Sequence, residues 1–159
     1  MGTIIKASKQ GKDIRVYATE SRPWGQGYLT VAALAEAGVD TTLIIDSAVH
    51  SVMKDVDRVF VGADTVTSSG DLVNKIGTSQ IALCAREART EFNVCAESFK
   101  FSPKTLRGEN VVIEERDASE ITGGRDLPDG VKVFNPVFDV TSWRYIDNII
   151  CEYGVMPPG

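Results

Sequence analysis

Histidine occurs once in this 159-residue chain and cysteine three times. Cys84, Cys95 and Cys151 form no CxxC pair, and His50 is the lone imidazole, so no zinc site is expected. Cys84 and Cys95 sit in the apolar contexts IALCA and FNVCA and read as small buried hydrophobes. None of the three reads as a nucleophile. His50, on a short helix away from the strand ends, reads as a surface residue. No apolar run is long enough to span a bilayer. The net charge of -5 offers no electrostatic grip on nucleic acid or on an anionic membrane. Two phosphate-binding signatures are missing: no GxGxxG follows the first strand, and no GxxxxGK[ST] occurs anywhere. Dinucleotide and P-loop nucleotide binding are therefore not expected. No repeat or low-complexity tract is present. Met1-Gly2-Thr3 leads straight into a polar helix-like segment, so no signal peptide is expected and the reading is a cytoplasmic chain.

What remains is ordinary globular composition, 43% hydrophobic and 25% charged, enough for one domain with a substantial core. Residues 4–10 read as a helix stopped by Gly11 and able to continue a longer element upstream. Strands are predicted over 13–18, 41–45, 59–61 and 93–96. Helices are predicted over 28–37, 47–54 and 75–90, with Gly38 closing the first. Strands alternating with helices at this spacing indicate βαβ units and a parallel sheet. From Phe99 to Gly130 the chain turns polar, with Pro103, Gly108, Gly123, Gly124 and Pro128. One short strand is predicted within it, over 111–115. The stretch is too long for a passive connector, so it reads as cover over a site or as an interaction surface. A strand over 131–134, a helix over 141–148 capped by Thr141, and a last strand over 149–153 complete the pattern.

Ligands of open α/β sheets bind at the carboxyl ends of strands. Four predicted ends carry polar residues. Arg22 adjoins the Gly-rich turn Gly25-Gln26-Gly27 at a helix start, which suits phosphate or carboxylate; a surface arginine beside a turn is the equal alternative. Asp46 most simply caps the helix after it. Asp64 follows the run Val59-Phe60-Val61, and after the polar loop Ser68-Ser69-Gly70 come Asn74, Lys75, Gly77 and Thr78 as a helix begins. Glu97 and Lys100 follow the fourth strand and read either as a surface pair or as part of the ligand edge. Carboxylates (Asp46, Asp64, Glu97) mixed with cations (Arg22, Lys75, Lys100) suit a phosphorylated sugar, with cations holding phosphate and a carboxylate moving a proton.

The segments TESRPWGQG, IIDSA, VGADTVTSSGDLVNKIGT, AESFKF and FNPVFDVTSWRYIDNII resemble the carboxyl-terminal domain of one superfamily. It comprises the alpha, beta and delta subunits of translation initiation factor 2B, methylthioribose-1-phosphate isomerase and archaeal ribose-1,5-bisphosphate isomerase. DSAVHSVMK, AESFKFSPKTLRGENVVIEERD and VFNPVFDVT are most similar to the last of these, while AESFKF is also similar to the factor's alpha subunit. The resemblance runs from about Thr3 to Pro158 and implies an α/β fold: a Rossmann-like three-layer αβα sandwich around a mostly parallel sheet, as a single domain over 1–159. It implies aldose-to-ketose isomerisation of a sugar phosphate by a carboxylate and a cysteine. Asp64 would be the general acid/base. Arg22, Gln26, Gly27, Asn74 and Lys75 would contact substrate, Lys75 at a phosphate or hydroxyl. No cofactor and no metal are implied. The expected partners are a phosphorylated sugar and either further copies of the chain or related subunits, with FNPVFDV and Trp143 suited to that contact. The family's catalytic cysteine belongs to a THC-type segment ahead of this region, and its helical amino-terminal domain has no counterpart here. The 159 residues alone are thus expected to be inactive or severely impaired, whether as an excised domain or as a short homologue, and residues after Pro158 are expected in the family.

Overall fold

The structure, a computed structural model, describes residues 1–105 and 111–158. The part of the polar stretch around Gly108, residues 106–110, lies outside them, as does Gly159. The chain forms two compact units, Met1–Val52 and Met53–Gly159.

The first unit opens with α1 (Gly2–Lys9), followed by β1 (Arg15–Thr19), α2 (Gln26–Glu36) and β2 (Asp40–Ile44). Gly11 takes φ 85 just past α1, as its predicted stop requires. β1 and β2 pair in parallel from Arg15↔Asp40 to Thr19↔Ile44. Leu34 and Gly27 on α2 and Ala18 on β1 are buried, so the two helix positions seven residues apart mark its packed face. At the end of α2, Gly38 at φ 72 lets the chain turn back, and Val39 donates to the Leu34 carbonyl at 3.0 Å. A 3-10 turn, Asp46–Ala48, leads into the short α3 (Val49–Met53).

The second unit holds two sheets. One contains β3 (Arg58–Val61), β6 (Glu91–Cys95), β8 (Asn148–Cys151) and β9 (Gly154–Met156) in the order β3-β6-β8-β9. Its first two pairings are parallel and its last is antiparallel. β6 is the core strand, with Phe92, Asn93 and Val94 all buried. Asn93 is tolerated there because its amide donates to the Val59 carbonyl at 3.3 Å and its oxygen accepts from Asn148 at 3.0 Å. The other sheet is antiparallel and contains β4 (Thr65–Val66), β5 (Leu72–Lys75) and β7 (Phe138–Thr141), in the order β4-β5-β7. α4 (Thr78–Ala88) buries Ala82 and Ala85 and packs on β6 and β7. A single helical turn, α5 (Ser119–Thr122), lies in the polar stretch.

The α/β class and the parallel pairing of β1-β2, β3-β6 and β6-β8 stand as the sequence indicates. Several elements differ. Residues 65–75 are a hairpin rather than a loop feeding a helix, so Asn74 and Lys75 lie on β5 and α4 starts only at Thr78. The hairpin turn closes by Thr67 N–H to the Asp71 carbonyl (2.9 Å) and Gly70 N–H to the Thr67 carbonyl (3.0 Å), and Leu72 and Val73 are drawn into the core. Residues 111–115 carry only a bridge from Glu115 to Pro136. The strand expected over 131–134 lies instead at β7, where it can pair with β5. The helix expected over 141–148 is one 3-10 turn, Trp143–Tyr145, because Thr141 and Asn148 are both taken into strands. The last strand is a hairpin, β8-β9, turning through Glu152 and Tyr153, with Gly154 paired to Cys151. Cys84 and Cys95 are half-buried rather than fully enclosed, and the burial that Cys95 has raises its thiol pKa above the ordinary value. Among the described residues no helix is long and apolar enough to cross a membrane, and no group of three or more His, Cys, Asp or Glu side chains could hold a metal ion.

Candidate functional site

The predicted residues fall into two clusters, one in each unit. In the first unit, Arg22, Gln26 and Gly27 share the turn from β1 into α2. Ser21 takes φ 58, unusual for a residue with a side chain, and Gly25 takes φ 69 as the residue before the helix. Gly27 has no room for anything larger: a Cβ there would lie 1.9 Å from the Thr19 carbonyl oxygen. The helix start therefore rests directly on the end of the strand, and Gly27 N–H donates to the Glu20 carbonyl at 3.1 Å. Asp46 does not do what its sequence context suggests. Instead of capping its own helix, its carboxylate reaches across to the turn and accepts the Ser21 and Arg22 N–H groups at 2.9 and 2.8 Å. The Arg22 side chain is exposed at this turn. Gln26 places its Oε1 in the interior with no hydrogen-bond partner among the described residues. An orphaned buried acceptor costs about 1–3 kcal/mol, so such a group calls for a water, an ion or a functional role to explain it.

In the second unit, Asp64, Asn74 and Lys75 come together because β5 runs back beside the end of β3. Asp64 N–H donates to the Val73 carbonyl at 3.0 Å, which sets Asp64 next to the start of the Asn74-Lys75 pair. The Asp64 side chain is exposed, and among the described residues no group pairs with its carboxylate. Asn74 Nδ2 donates to Thr78 Oγ1 at 3.0 Å, and Thr78 Oγ1 donates to the Lys75 carbonyl at 2.7 Å. The Asn74 Oδ1 faces Gly62, 3.9 Å from where a Cβ would stand. Asp139, directly opposite Asn74 on β7, holds the turn between β5 and α4. Its carboxylate accepts Gly77 N–H at 2.8 Å and Ser79 N–H at 3.1 Å. These donors are among the unpaired amides that begin any helix. Burial pushes the Asp139 carboxyl above its ordinary pKa, against the opposing pull of the Ser79 and Gly77 amides.

Acidic side chains thus serve repeatedly as backbone clamps. Asp147 accepts Phe92 N–H at 2.7 Å, Asp71 accepts Trp143 N–H at 2.9 Å, and Glu152 accepts Ser98 N–H at 2.9 Å. Hydrogen bonding to the Ser98 side chain, seconded by backbone amides, lowers the Glu152 pKa, and the Ser98 N–H bond anchors the loop carrying Lys100, whose ammonium lies 5.4 Å from the Phe99 ring centroid. Of the predicted carboxylates, Asp46 is engaged in this way, while Asp64 is exposed and accepts no hydrogen bond among the described residues. Sequence reasoning missed Asp139 and the structural use of Thr78. Asp139 depends on the pairing of β5 with β7, more than sixty residues apart, for which the sequence carries no local signal, whereas Thr78 acts locally, on residues three and four positions before it.

Residues 1–158 match the initiation factor 2 subunit family, IF-2B. The chain belongs to this family. Its similarity to other IF-2B members is spread over the whole chain. It is 60% identical over 158 residues to the ribose 1,5-bisphosphate isomerase of Archaeoglobus fulgidus, which covers 99% of this chain and 50% of that protein. It is 45% identical over 165 residues to the methylthioribose-1-phosphate isomerase of Symbiobacterium thermophilum, covering 99% of this chain and 46% of that protein. The crystal structure of translation initiation factor eIF-2B, subunit delta, from A. fulgidus matches with a TM-score of 0.90 at 42% identity, over 99% of this chain and 47% of that one. The chain spans about half the length of the curated relatives it matches. Both isomerase and initiation-factor members of IF-2B therefore share its α/β fold.

Proposed function

We propose that this chain is the carboxyl-terminal domain of a sugar-phosphate isomerase of the IF-2B family, converting ribose 1,5-bisphosphate to ribulose 1,5-bisphosphate. The observation that carries this reading is the 60% identity, over 99% of the chain, to a ribose 1,5-bisphosphate isomerase. Asp64 is the general acid/base that moves a proton during the aldose-to-ketose step; its exposed, uncommitted carboxylate supports that role. Arg22 and Lys75 supply positive charge for phosphate, while Gln26, Gly27 and Asn74 supply polar contacts and close backbone approach. The cysteine partner belongs to the family's THC-type segment, outside these 159 residues, so activity is a property of the full-length protein. The protein works in the cytoplasm on a phosphorylated sugar, as a homo-oligomer or with related subunits, without nucleic acid or membrane.

The test is calorimetric titration of the full-length protein with ribose 1,5-bisphosphate, with AMP and methylthioribose 1-phosphate as comparisons. Selective binding that is lost in Lys75→Ala is expected, together with turnover that Asp64→Asn abolishes while the protein stays folded. Turnover surviving in Asp64→Asn would overturn the acid/base assignment. The 0.90 TM-score to eIF-2B subunit delta supports a second reading, a regulatory subunit acting in translation initiation through protein contacts. Under that reading the full-length protein binds an initiation factor 2 subunit or a second 2B-like subunit at micromolar concentration, and no sugar phosphate.

A further inference from the structure

Asn74 has one side-chain face committed to the protein, and the chemistry of its neighbour decides which face. The Thr78 hydroxyl, buried in the first turn of α4, lies 2.7 Å from the Lys75 carbonyl oxygen and 3.0 Å from the Asn74 amide. A carbonyl oxygen only accepts, so the single hydroxyl proton goes to Lys75. The Thr78 oxygen can then only accept from Asn74, which forces the NH2 group of Asn74 toward Thr78. The Asn74 Oδ1 is left on the other side, facing Gly62 on the segment that leads to Asp64, and it has no partner among the described residues. Asp139 fixes the frame of this relay by holding the Gly77 and Ser79 amides, so neither β5 nor α4 can slide to release it.

We infer that Thr78 is a positioning residue that locks the Asn74 amide with its carbonyl oxygen outward, so that Asn74 recognises a hydroxyl donor on the sugar rather than a phosphate oxygen. The inference rests on the sugar-phosphate reading above. It adds a division of labour: phosphate is left to cations, and Asn74 reads a ring or chain hydroxyl. Without the Thr78 hydroxyl, the Asn74 amide can rotate and present NH2, a donor facing a donor.

The experiment compares Thr78→Val and Thr78→Ser with wild type in the full-length protein, with thermal melts confirming that each is folded. Thr78→Val is expected to raise KM for ribose 1,5-bisphosphate about tenfold, the cost of one hydrogen bond to a ligand, with a smaller effect on kcat. It should also lose discrimination against monodeoxy analogues of the sugar bisphosphate. Thr78→Ser keeps the hydroxyl and should restore KM to within about threefold of wild type. Unchanged KM with retained discrimination in Thr78→Val would overturn the proposal, as would a Thr78→Ser variant as impaired as the valine. Labelled asparagine side chains give an arm independent of substrate. The Asn74 NH2 resonances should shift and exchange faster with solvent in Thr78→Val. If they do not move, the lock is wrong. If they do move while wild type neither binds nor turns over any sugar phosphate, the lock stands and the isomerase reading, with the hydroxyl it assigns to Asn74, falls.

Discussion

The turn from β1 into α2 and the turn from β5 into α4 solve the same problem in different ways. In each, a left-handed glycine precedes the helix, Gly25 at φ 69 and Gly77 at φ 100, and neither helix has a side-chain cap from that residue. In each, a carboxylate from elsewhere in the same unit takes backbone N–H groups, Asp46 in one and Asp139 in the other. The first turn is locked by contact, since at Gly27 a Cβ would sit 1.9 Å from backbone. The second is locked by hydrogen bonds, since around Gly77 a Cβ would meet nothing within 4 Å. Steric locks fail all at once, whereas hydrogen-bonded locks are graded and, with a half-buried carboxylate, depend on pH.

Gly27→Ala should break the first turn most severely. The clash is with backbone that cannot rotate away, so a loss of roughly 3 kcal/mol is expected in denaturant unfolding of the chain. A loss under about 1 kcal/mol would show that the contact is looser than the structure indicates.

Asp139→Ala should cost about 2 kcal/mol, because two helix-start amides lose their acceptor in a half-buried setting. Its pH behaviour gives a sharper test. Burial holds the folded pKa of Asp139 above its unfolded value, so the protonated form favours the fold. That contribution is complete below the unfolded value, near 3.9 for an ordinary aspartate, and is lost as pH rises through the raised folded value. Asp139→Asn cannot ionise, so the stability difference between variant and wild type should change across that window and be flat above it. Parallel curves throughout would remove Asp139 from the account.

Gly77→Ala should be milder, about 1 kcal/mol, since only the left-handed backbone and no neighbour opposes a methyl group. If it costs as much as Gly27→Ala, the contrast between the two turns collapses. Asp64→Asn should be the mildest for stability, within about 0.5 kcal/mol, because its exposed side chain pairs with nothing among the described residues. A large destabilisation would mean that Asp64 is one more backbone clamp and not a group kept for chemistry.

Much of the α/β pattern was legible because its elements are local. The alternation and apolar runs of β1, β2, β3 and β6, and the glycines after α1 and α2, act within a few residues. The second half was read poorly for the opposite reason. β7 exists because it pairs with β5, and Thr141 and Asn148 join strands instead of a helix because partners are available to them. The hairpin 65–75 hid in its Ser-Ser-Gly turn, which looks the same locally whether or not the flanking residues pair. The candidate site was half legible: the residue types at the strand ends stood out, but their employment did not. Asp46 and Asp64 look alike in sequence, each following an apolar strand, yet one is bound to the Ser21 and Arg22 amides and the other is left uncommitted.

From its sequence alone this chain determined its class, its first strands and helices, its IF-2B resemblance and the residues able to carry chemistry, since all of these are set by side-chain type and short-range spacing. Which carboxylate is a clamp and which faces solvent, and where β7 lies, were decided only by tertiary structure. Each of those depends on which backbone amide or hydroxyl, sometimes more than sixty residues away, arrives within hydrogen-bonding distance.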